Sequence, residues 1–158
     1  MYAIVEDCDT TRALLVSVVK SMLDEEVAGF GSAEGFIREL RVSAPDLSAI
    51  FLDINLPGIS GLELIVGIKK IPNYSNVPIV ICSASNDRQV IVKALKAGAV
   101  NFVMKPFSRP QIEEVIKTLP KKEIQKQEPS SASEGPQQDE GDDLSLLNES
   151  AVGMMKGS

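Results

Sequence analysis

The chain lacks histidine and tryptophan altogether. Without an imidazole it has no histidine general base, no histidine zinc ligand and no phosphohistidine donor of its own. Long apolar runs are also missing, since none approaches the length of a membrane span. These absences exclude serine–histidine triads and histidine-based metal sites, and they predict a protein without membrane attachment.

Basic targeting and binding signals are scarce as well. The N-terminal stretch MYAIVEDCDTTR has no basic region and no cleavage-like site, so no signal peptide is expected. The formal net charge is −6, whereas nucleic-acid-binding domains usually carry a clustered basic patch. The two cysteines, Cys8 and Cys82, lie far apart, which favours reduced thiols without a metal role. We therefore expect a cytoplasmic protein that does not contact nucleic acid directly.

What is present is a regular alternation of apolar runs and helical segments. Several runs are apolar throughout, as in strands that are buried on both faces. The segments between them carry helix signals, including candidate capping residues at Asp9, Ser32 and Ser108. Such alternation predicts an α/β fold in which a parallel sheet has helices on both faces. The predicted strands are Tyr2–Val5, Val27–Phe30, Ala49–Leu52, Val77–Cys82 and Val100–Met104.

The fourth predicted helix contains three consecutive apolar residues, Val90, Ile91 and Val92. Neighbouring helical positions differ by about 100°, so the three side chains cannot all face the core. We expect Val90 or Ile91 to be partly exposed.

The composition changes after Pro120, where Glu, Gln, Ser, Pro and Gly predominate. We predict a domain over residues 1–120, a disordered acidic linker over 121–143 and a short tail segment over 144–158. The tail has two interpretations, a disordered end with a chance pattern or a helix that docks on this domain, a second copy or a partner. Its apolar residues at helical spacing are Leu144, Leu147, Ala151 and Met154.

Polar side chains follow four of the predicted strands. The carboxyl ends of parallel strands meet at one edge of a sheet, where doubly wound proteins bind ligands. We therefore expect these side chains to form one site. They are Glu6 and Asp7, Asp53 and Asn55, Ser83 and Ala84, and Lys105 before Pro106.

Three clustered carboxylates raise one another's pKa unless a cation lies between them. Oxygen ligands favour Mg²⁺, with Mn²⁺ as an alternative. A metal held there can position a phosphoryl group for attack by Asp53, because carboxylates form acyl phosphates. Ser83 and Lys105 can then bind the phosphoryl oxygens.

The motifs VEDCD, LDINLPGISG, ICSAS and VMKPF, in this order and spacing, resemble the receiver domain of bacterial two-component response regulators. The resemblance is to chemotaxis-regulator-like receivers and covers nearly all of residues 1–120. It implies a flavodoxin-like five-stranded sheet in the order 2-1-3-4-5. It also implies a signalling switch that accepts a phosphoryl group from a histidine kinase or histidine phosphotransfer protein.

The resemblance implies a role for each acidic-site residue. Asp53 would be the phosphoacceptor. Asp7 would bind the metal directly, Glu6 more through water, and Asn55 through its backbone carbonyl. The acidic pair is Glu-Asp where the family commonly has Asp-Asp, a change that the family tolerates.

The resemblance also implies the switch residues. Ser83, with Ala84 after it, would supply the switch hydroxyl, where threonine is commoner. Lys105 would bind phosphate, and the peptide before Pro106 would be cis. Phe102 would be the switch aromatic, in place of the commoner tyrosine, with a plain core role as the alternative.

Two other functions compete with the switch. An aspartyl-phosphate phosphatase of related fold would need a second acid at position 55, which is Asn55 here. A pseudo-receiver that only binds proteins would not need the intact acid cluster. We therefore expect no activity on external substrates, only Mg²⁺-dependent phosphorylation and dephosphorylation of the chain itself.

Partners are expected on a separate surface. By resemblance, the fourth helix, fifth strand and fifth helix would contact a downstream target protein. We expect a monomer or a phosphorylation-dependent dimer. No output-domain signature follows the receiver in this sequence.

Overall fold

A computed structural model describes residues 1–84 and 88–121. The predicted linker, beyond Lys121, and the predicted tail segment lie outside these residues. Within them, no helix is long and apolar enough to cross a membrane.

The chain forms a five-stranded, fully parallel sheet in the order 2-1-3-4-5. All residues of the first, third and fourth strands are buried, because helices cover both faces of the sheet. The second and fifth strands form the edges and are only partly buried. The predicted doubly wound fold and strand order are confirmed. The strands are β1 (Tyr2–Val5), β2 (Val27–Phe30), β3 (Ala49–Asp53), β4 (Ile79–Ser83) and β5 (Asn101–Met104).

Five helices among the described residues are divided between the two faces of the sheet. One face packs on the first and last helices through a core that includes Leu15, Val19 and Ile112. The other packs on the remaining three helices through a larger core that includes Phe36 and Leu64. The helices are α1 (Asp9–Lys20), α2 (Ala33–Val42), α3 (Gly61–Lys69), α4 (Arg88–Ala97) and α5 (Arg109–Thr118).

Two of the three predicted capping residues occupy N-cap positions. The Ser32 hydroxyl accepts a hydrogen bond from the Gly35 amide at 3.0 Å. Ser108 precedes α5 and donates its backbone N–H to Gln111 Oε1 at 2.8 Å. The prediction for Asp9 is wrong, because α1 begins at Asp9 and the extended residue before it is Cys8.

Two further details differ from the predicted boundaries or refine them. β4 begins at Ile79 rather than Val77, because the Val77 amide is used in a turn to Tyr74 O at 3.0 Å. In α4, Val90 and Ile91 are half-buried and Val92 is more exposed, at 46%.

Strand register brings the strand ends to one edge of the sheet. Asp53 pairs with Cys82 on β4, and Ser83 pairs with Met104 on β5. The Glu6 amide continues the β1–β2 pairing by donating to Phe30 O at 2.9 Å.

Candidate functional site

Three carboxylates meet at the carboxyl edge of the sheet. Oxygens of Glu6, Asp7 and Asp53 all lie within 4.8 Å of one another. Glu6 is 2% exposed and Asp53 is 5% exposed, whereas Asp7 faces solvent. Burying two carboxylates this close together is costly unless cations and hydrogen-bond donors compensate their charge.

Both oxygens of Asp53 receive a hydrogen bond. Oδ1 accepts from the Asn55 backbone amide at 2.9 Å, so the loop after β3 turns back onto its own strand end. Oδ2 accepts from the Lys105 ammonium at 3.0 Å. These two bonds hold both oxygens of the carboxylate in place, with a cation beside one of them.

Glu6 is the more deeply buried of the two acids. Burial raises the pKa of its carboxyl, against the opposing effects of a hydrogen bond from Lys105 and one from the Cys8 amide. The Cys8 amide lies 3.1 Å from Oε1, and Lys105 Nζ forms an ion pair with Oε2. The acid is thus held in place from two sides.

Lys105 links the two buried acids. Burial by itself would lower the pKa of its ammonium, but the hydrogen bonds to Glu6 and Asp53 outweigh this and raise the pKa. The Lys105 amide donates to Ser83 O at 2.8 Å, which ties the end of β5 to β4. The peptide between Lys105 and Pro106 is cis.

The end of β4 lies on the other side of Asp53. Ser83 is the last residue of β4 and is 3% exposed, and Ala84 after it faces solvent. Burial raises the pKa of the Cys82 thiol to about 12, so the residue paired with Asp53 stays neutral. The hydroxyl of Ser83 and the carboxylate of Asp53 thus end neighbouring strands.

Phe102 is not part of this cluster. It lies within β5, opposite Ile81, and its side chain is 39% exposed on the surface of the edge strand. The alternative of a plain core role is therefore wrong, because an edge strand has one uncovered side.

The donor set fits a hard divalent cation. Three carboxylates converge here, and one cation, Lys105, pairs with two of them. All the available ligands are oxygens, which Mg²⁺ and Mn²⁺ prefer. Asp7 is the one carboxylate of the three that faces solvent, so it can bind an ion that keeps its own waters.

Sequence reasoning missed two residues that support the site. Arg12 donates from Nη1 to the backbone carbonyl of Glu6 at 2.8 Å. Glu34, at the start of α2, accepts from the Ile59 amide at 3.1 Å and so holds the loop that follows β3. The signal for Arg12 was a pair of glycines around the end of β2, which leave room for its side chain.

Comparison with known proteins places this geometry in a family. The model of the response regulator receiver domain matches residues 3–117. The chain is 29% identical over 119 residues to chemotaxis protein CheY of Thermotoga maritima, covering 75% of this chain and 95% of that protein. It is 34% identical over 105 residues to nodulation protein W of Bradyrhizobium diazoefficiens, covering 66% of this chain and 44% of that protein.

Solved structures agree with this assignment. A putative response regulator from Chloroflexus aurantiacus superposes with a TM-score of 0.68 at 28% identity, covering 75% of this chain and 94% of that one. The receiver domain of NtrX from Brucella abortus gives a TM-score of 0.66 at 27% identity, covering 74% and 95%. Together with the family model, these matches establish that the chain belongs to the response regulator receiver domain family of two-component signalling.

Proposed function

We propose that this chain is a phosphorylation-dependent signalling switch whose phosphoacceptor is Asp53. The observation that carries the proposal is the setting of Asp53. It is buried at the edge of the sheet, 3.0 Å from the Lys105 ammonium and within 4.8 Å of two further carboxylates. Receiver domains are phosphoacceptors with autodephosphorylation, and among the three clustered carboxylates Asp53 is the one that ends β3, the central strand of the sheet.

The phosphoryl donor is a phosphohistidine on a histidine kinase or histidine phosphotransfer protein. A carboxylate oxygen of Asp53 attacks phosphorus, an O–P bond forms and the N–P bond breaks. The electron pair of the broken bond stays on the imidazole nitrogen, and Asp53 becomes an acyl phosphate. Asn55 and Lys105 hold the carboxylate during the attack, because each binds one of its oxygens.

Mg²⁺, with Mn²⁺ as an alternative, would be held by Asp7 and Asp53, by Glu6 through water and by the Asn55 backbone carbonyl. When bound, the ion supplies positive charge that offsets the repulsion between the carboxylates and the phosphoryl oxygens.

After transfer, the new oxygens recruit the neighbouring strand ends. Lys105 can pair with one oxygen, while Ser83 and the backbone at Ala84 donate to another. A near-complete population switch needs about 5.5 kcal/mol of differential stabilisation. Two charge-assisted hydrogen bonds at about 1.5–3 kcal/mol each supply most of it.

The target-binding surface lies on α4, β5 and α5. Exposed apolar side chains are concentrated there, and Phe102, three residues before Lys105, is among them. We propose that phosphorylation changes this surface toward a downstream protein, or toward a second copy of the chain. The exposed apolar residues are Val92 and Leu95 on α4, Val100 just before β5, and Phe102 and Met104 on β5.

The curated relatives differ in length, since the chain spans 44% of nodulation protein W but 95% of CheY. Relatives of this family thus include proteins longer than the receiver alone. A phosphatase of related fold would need a second acid at position 55, where this chain has Asn55. This supports storage of the phosphoryl group over turnover of external substrates.

Incubation with acetyl phosphate tests the proposal. We expect the intact chain to gain one phosphoryl group when Mg²⁺ is present and none when EDTA replaces it. Continuous release of phosphate at a rate far above that of the acyl phosphate's own hydrolysis would favour a phosphatase. The absence of any labelling with Mg²⁺ would favour a protein-binding module without phosphorylation.

A further inference from the structure

Arg12, in the first turns of α1, turns its guanidinium back onto the loop between β1 and α1. Nη1 donates to Glu6 O at 2.8 Å and, more weakly, approaches Asp7 O at 3.4 Å. Nη2 forms an ion pair with Asp9. One side chain therefore contacts three residues of the segment that carries both carboxylates of the acidic pair.

β2 provides the room for this side chain. A Cβ at Gly29 would lie 3.2 Å from Arg12 Cγ and Cδ, and a Cβ at Gly31 would lie 3.3 Å from Arg12 Nη1. Neither glycine has a positive φ, so the backbone conformation does not require glycine. Glycine in a strand often marks a place where another group approaches closely. Here Arg12 approaches both glycines, and Val16 is equally close at Gly29.

Asp7 depends on this contact more than Glu6 does. The Glu6 carboxylate is buried and is held by the Cys8 amide and by Lys105. The Asp7 carboxylate is exposed, and within the described residues it accepts no hydrogen bond. Its position therefore rests on its backbone, which the guanidinium holds through two successive carbonyls.

We propose that Arg12 is a positioning residue of the metal site, which fixes the acidic pair from behind so that Asp7 is already in place when a divalent cation binds. The inference rests on the proposed function, because it assumes that Glu6 and Asp7 serve a metal. Residues that orient metal ligands in this way contribute to affinity without touching the ion.

The sign of the effect separates positioning from charge. Arg12 is a cation close to the site, so removing its charge alone would strengthen the binding of Mg²⁺. Removing the contacts to Glu6 O and Asp7 O would weaken it. The two explanations therefore predict opposite changes in the dissociation constant.

Calorimetric titration of the full chain with MgCl₂ tests this. We expect Arg12→Met to bind Mg²⁺ on the order of 10-fold more weakly than the wild type, at the lower end of the loss that is typical for such residues. Arg12→Lys keeps the positive charge but lacks the paired N–H donors of the guanidinium, so most of the loss in Mg²⁺ affinity should persist. Arg38→Met, which removes an exposed arginine from α2, is the matched control and should bind as the wild type does.

Two further measurements separate a positioning role from general destabilisation. At saturating Mg²⁺, Arg12→Met should be labelled by acetyl phosphate at a rate close to that of the wild type, because Asp53, Ser83 and Lys105 are unchanged. Gly31→Val places a side chain where, among the described residues, a Cβ contacts only the guanidinium. It should weaken Mg²⁺ binding in the wild type and have no further effect in Arg12→Met.

Equal or tighter Mg²⁺ binding by Arg12→Met would overturn the inference, as would additive losses in the double variant. If Arg12→Met does not fold, Gly31→Val alone decides, and wild-type affinity in that variant overturns the inference. Failure of the wild type to bind Mg²⁺ would instead overturn the proposed function.

Discussion

At the scale of single residues, the site is a compact set of opposed charges. Lys105 faces Glu6 and Asp53, and each of these acids has a second donor from a backbone amide. Removing one partner from such a cluster leaves an uncompensated buried charge, which is more costly than losing the whole cluster. The pH dependence of stability should therefore report on this lysine.

Lys105→Met should change the alkaline limb of the stability curve. The folded state raises the pKa of Lys105, so it binds the proton more tightly than the unfolded chain does. The stabilisation from this group is complete below its ordinary pKa of about 10.4 and is lost as pH rises through the raised value. The difference in free energy of unfolding between the wild type and the variant, measured by urea denaturation in EDTA, should be steady over the two pH units below about pH 10 and shrink above it. A difference that stays constant through the alkaline range would contradict the ion pairs.

Asp7→Asn should separate metal affinity from stability. Asp7 is exposed and does not pair with Lys105, yet its oxygens lie within 4.8 Å of two other acids. Neutralising it relieves repulsion in the metal-free protein while removing a proposed direct ligand. We expect weaker Mg²⁺ binding and slower phosphorylation, with a melting temperature in EDTA that is unchanged or higher. A lower melting temperature with unchanged Mg²⁺ affinity would show that Asp7 is structural.

Sequence alone predicted which residues meet at the strand ends, because each polar residue directly follows an apolar run and parallel strands share one edge. It could not predict Arg12, since that contact joins α1 to the β1 loop across the end of β2. From the sequence, Gly29 and Gly31 are only residues that weaken a strand, and the room that they leave for Arg12 is seen only in the packed structure. Nor could the sequence choose between an exposed and a core position for Phe102, because that depends on which side chains pack against β5.

At the scale of elements, the loop between β3 and α3 connects Asp53 to the rest of the domain. Gly58 has φ of +75°, in the left-handed region, and Glu34 from α2 binds the next amide. Gly61 begins α3 against the backbone of Asp53, with its amide on Ile54 O at 3.1 Å. These contacts hold the loop between β3 and α3 near its middle, at Ile59, and at its end, at Gly61.

Three alanine substitutions should rank by what the new Cβ meets. At Gly61 it would lie 2.5 Å from Asp53 O, which is backbone, so we expect a loss of about 3 kcal/mol in the free energy of unfolding. At Gly58 the strained φ should cost about 1–2 kcal/mol, since the nearest atom is the mobile end of Glu34. Gly35→Ala, in the first turn of α2, is the control. Its Cβ would lie 3.2 Å from the Ser32 hydroxyl, which offsets the gain of up to about 1 kcal/mol for alanine over glycine in a helix, so we expect little net change. Urea denaturation measures all three. A neutral Gly61→Ala would show that Gly61 does not pack against the Asp53 backbone as described.

Element boundaries were less predictable than element order. Strict alternation of apolar runs and helical segments determined the parallel sheet, but Cys8 rather than Asp9 occupies the N-cap of α1. Asp9 instead forms an ion pair with Arg12 from within the first turn. Cysteine is not among the residue types that commonly cap helices, so no local pattern pointed to Cys8.

At the scale of the whole molecule, the acidic site and the C-terminal end of the described residues lie at opposite edges of the sheet. Leu119 and Lys121 line a cleft of about 810 Å³ together with Met1 and Tyr2, at the amino end of β1. Asp53 ends β3 at the carboxyl edge. Lys121, the last residue that the structure describes, therefore lies at the opposite edge of the sheet from Asp53.

Truncation after Lys122 should leave phosphorylation of Asp53 intact, because every proposed site residue lies within residues 6–106. The two interpretations of the tail then differ in other properties. Docking predicts that truncation changes the oligomeric state, partner affinity or lifetime of the acyl phosphate, whereas a disordered end predicts no change in any of them. Light scattering and the decay of labelled protein measure this, and loss of labelling on truncation would contradict the proposed domain boundary.

Identification of the acceptor residue tests the account most directly. Borohydride reduces an aspartyl phosphate to homoserine, so labelled protein can be reduced, digested and sequenced by mass spectrometry. We predict homoserine at position 53 alone, only after labelling with Mg²⁺, and none in Asp53→Asn. Asp24→Asn, at an exposed acid, is the matched control and should leave the modification at position 53 unchanged. Homoserine at any other acid, or stoichiometric labelling that persists in Asp53→Asn, would contradict the assignment of Asp53 as the phosphoacceptor.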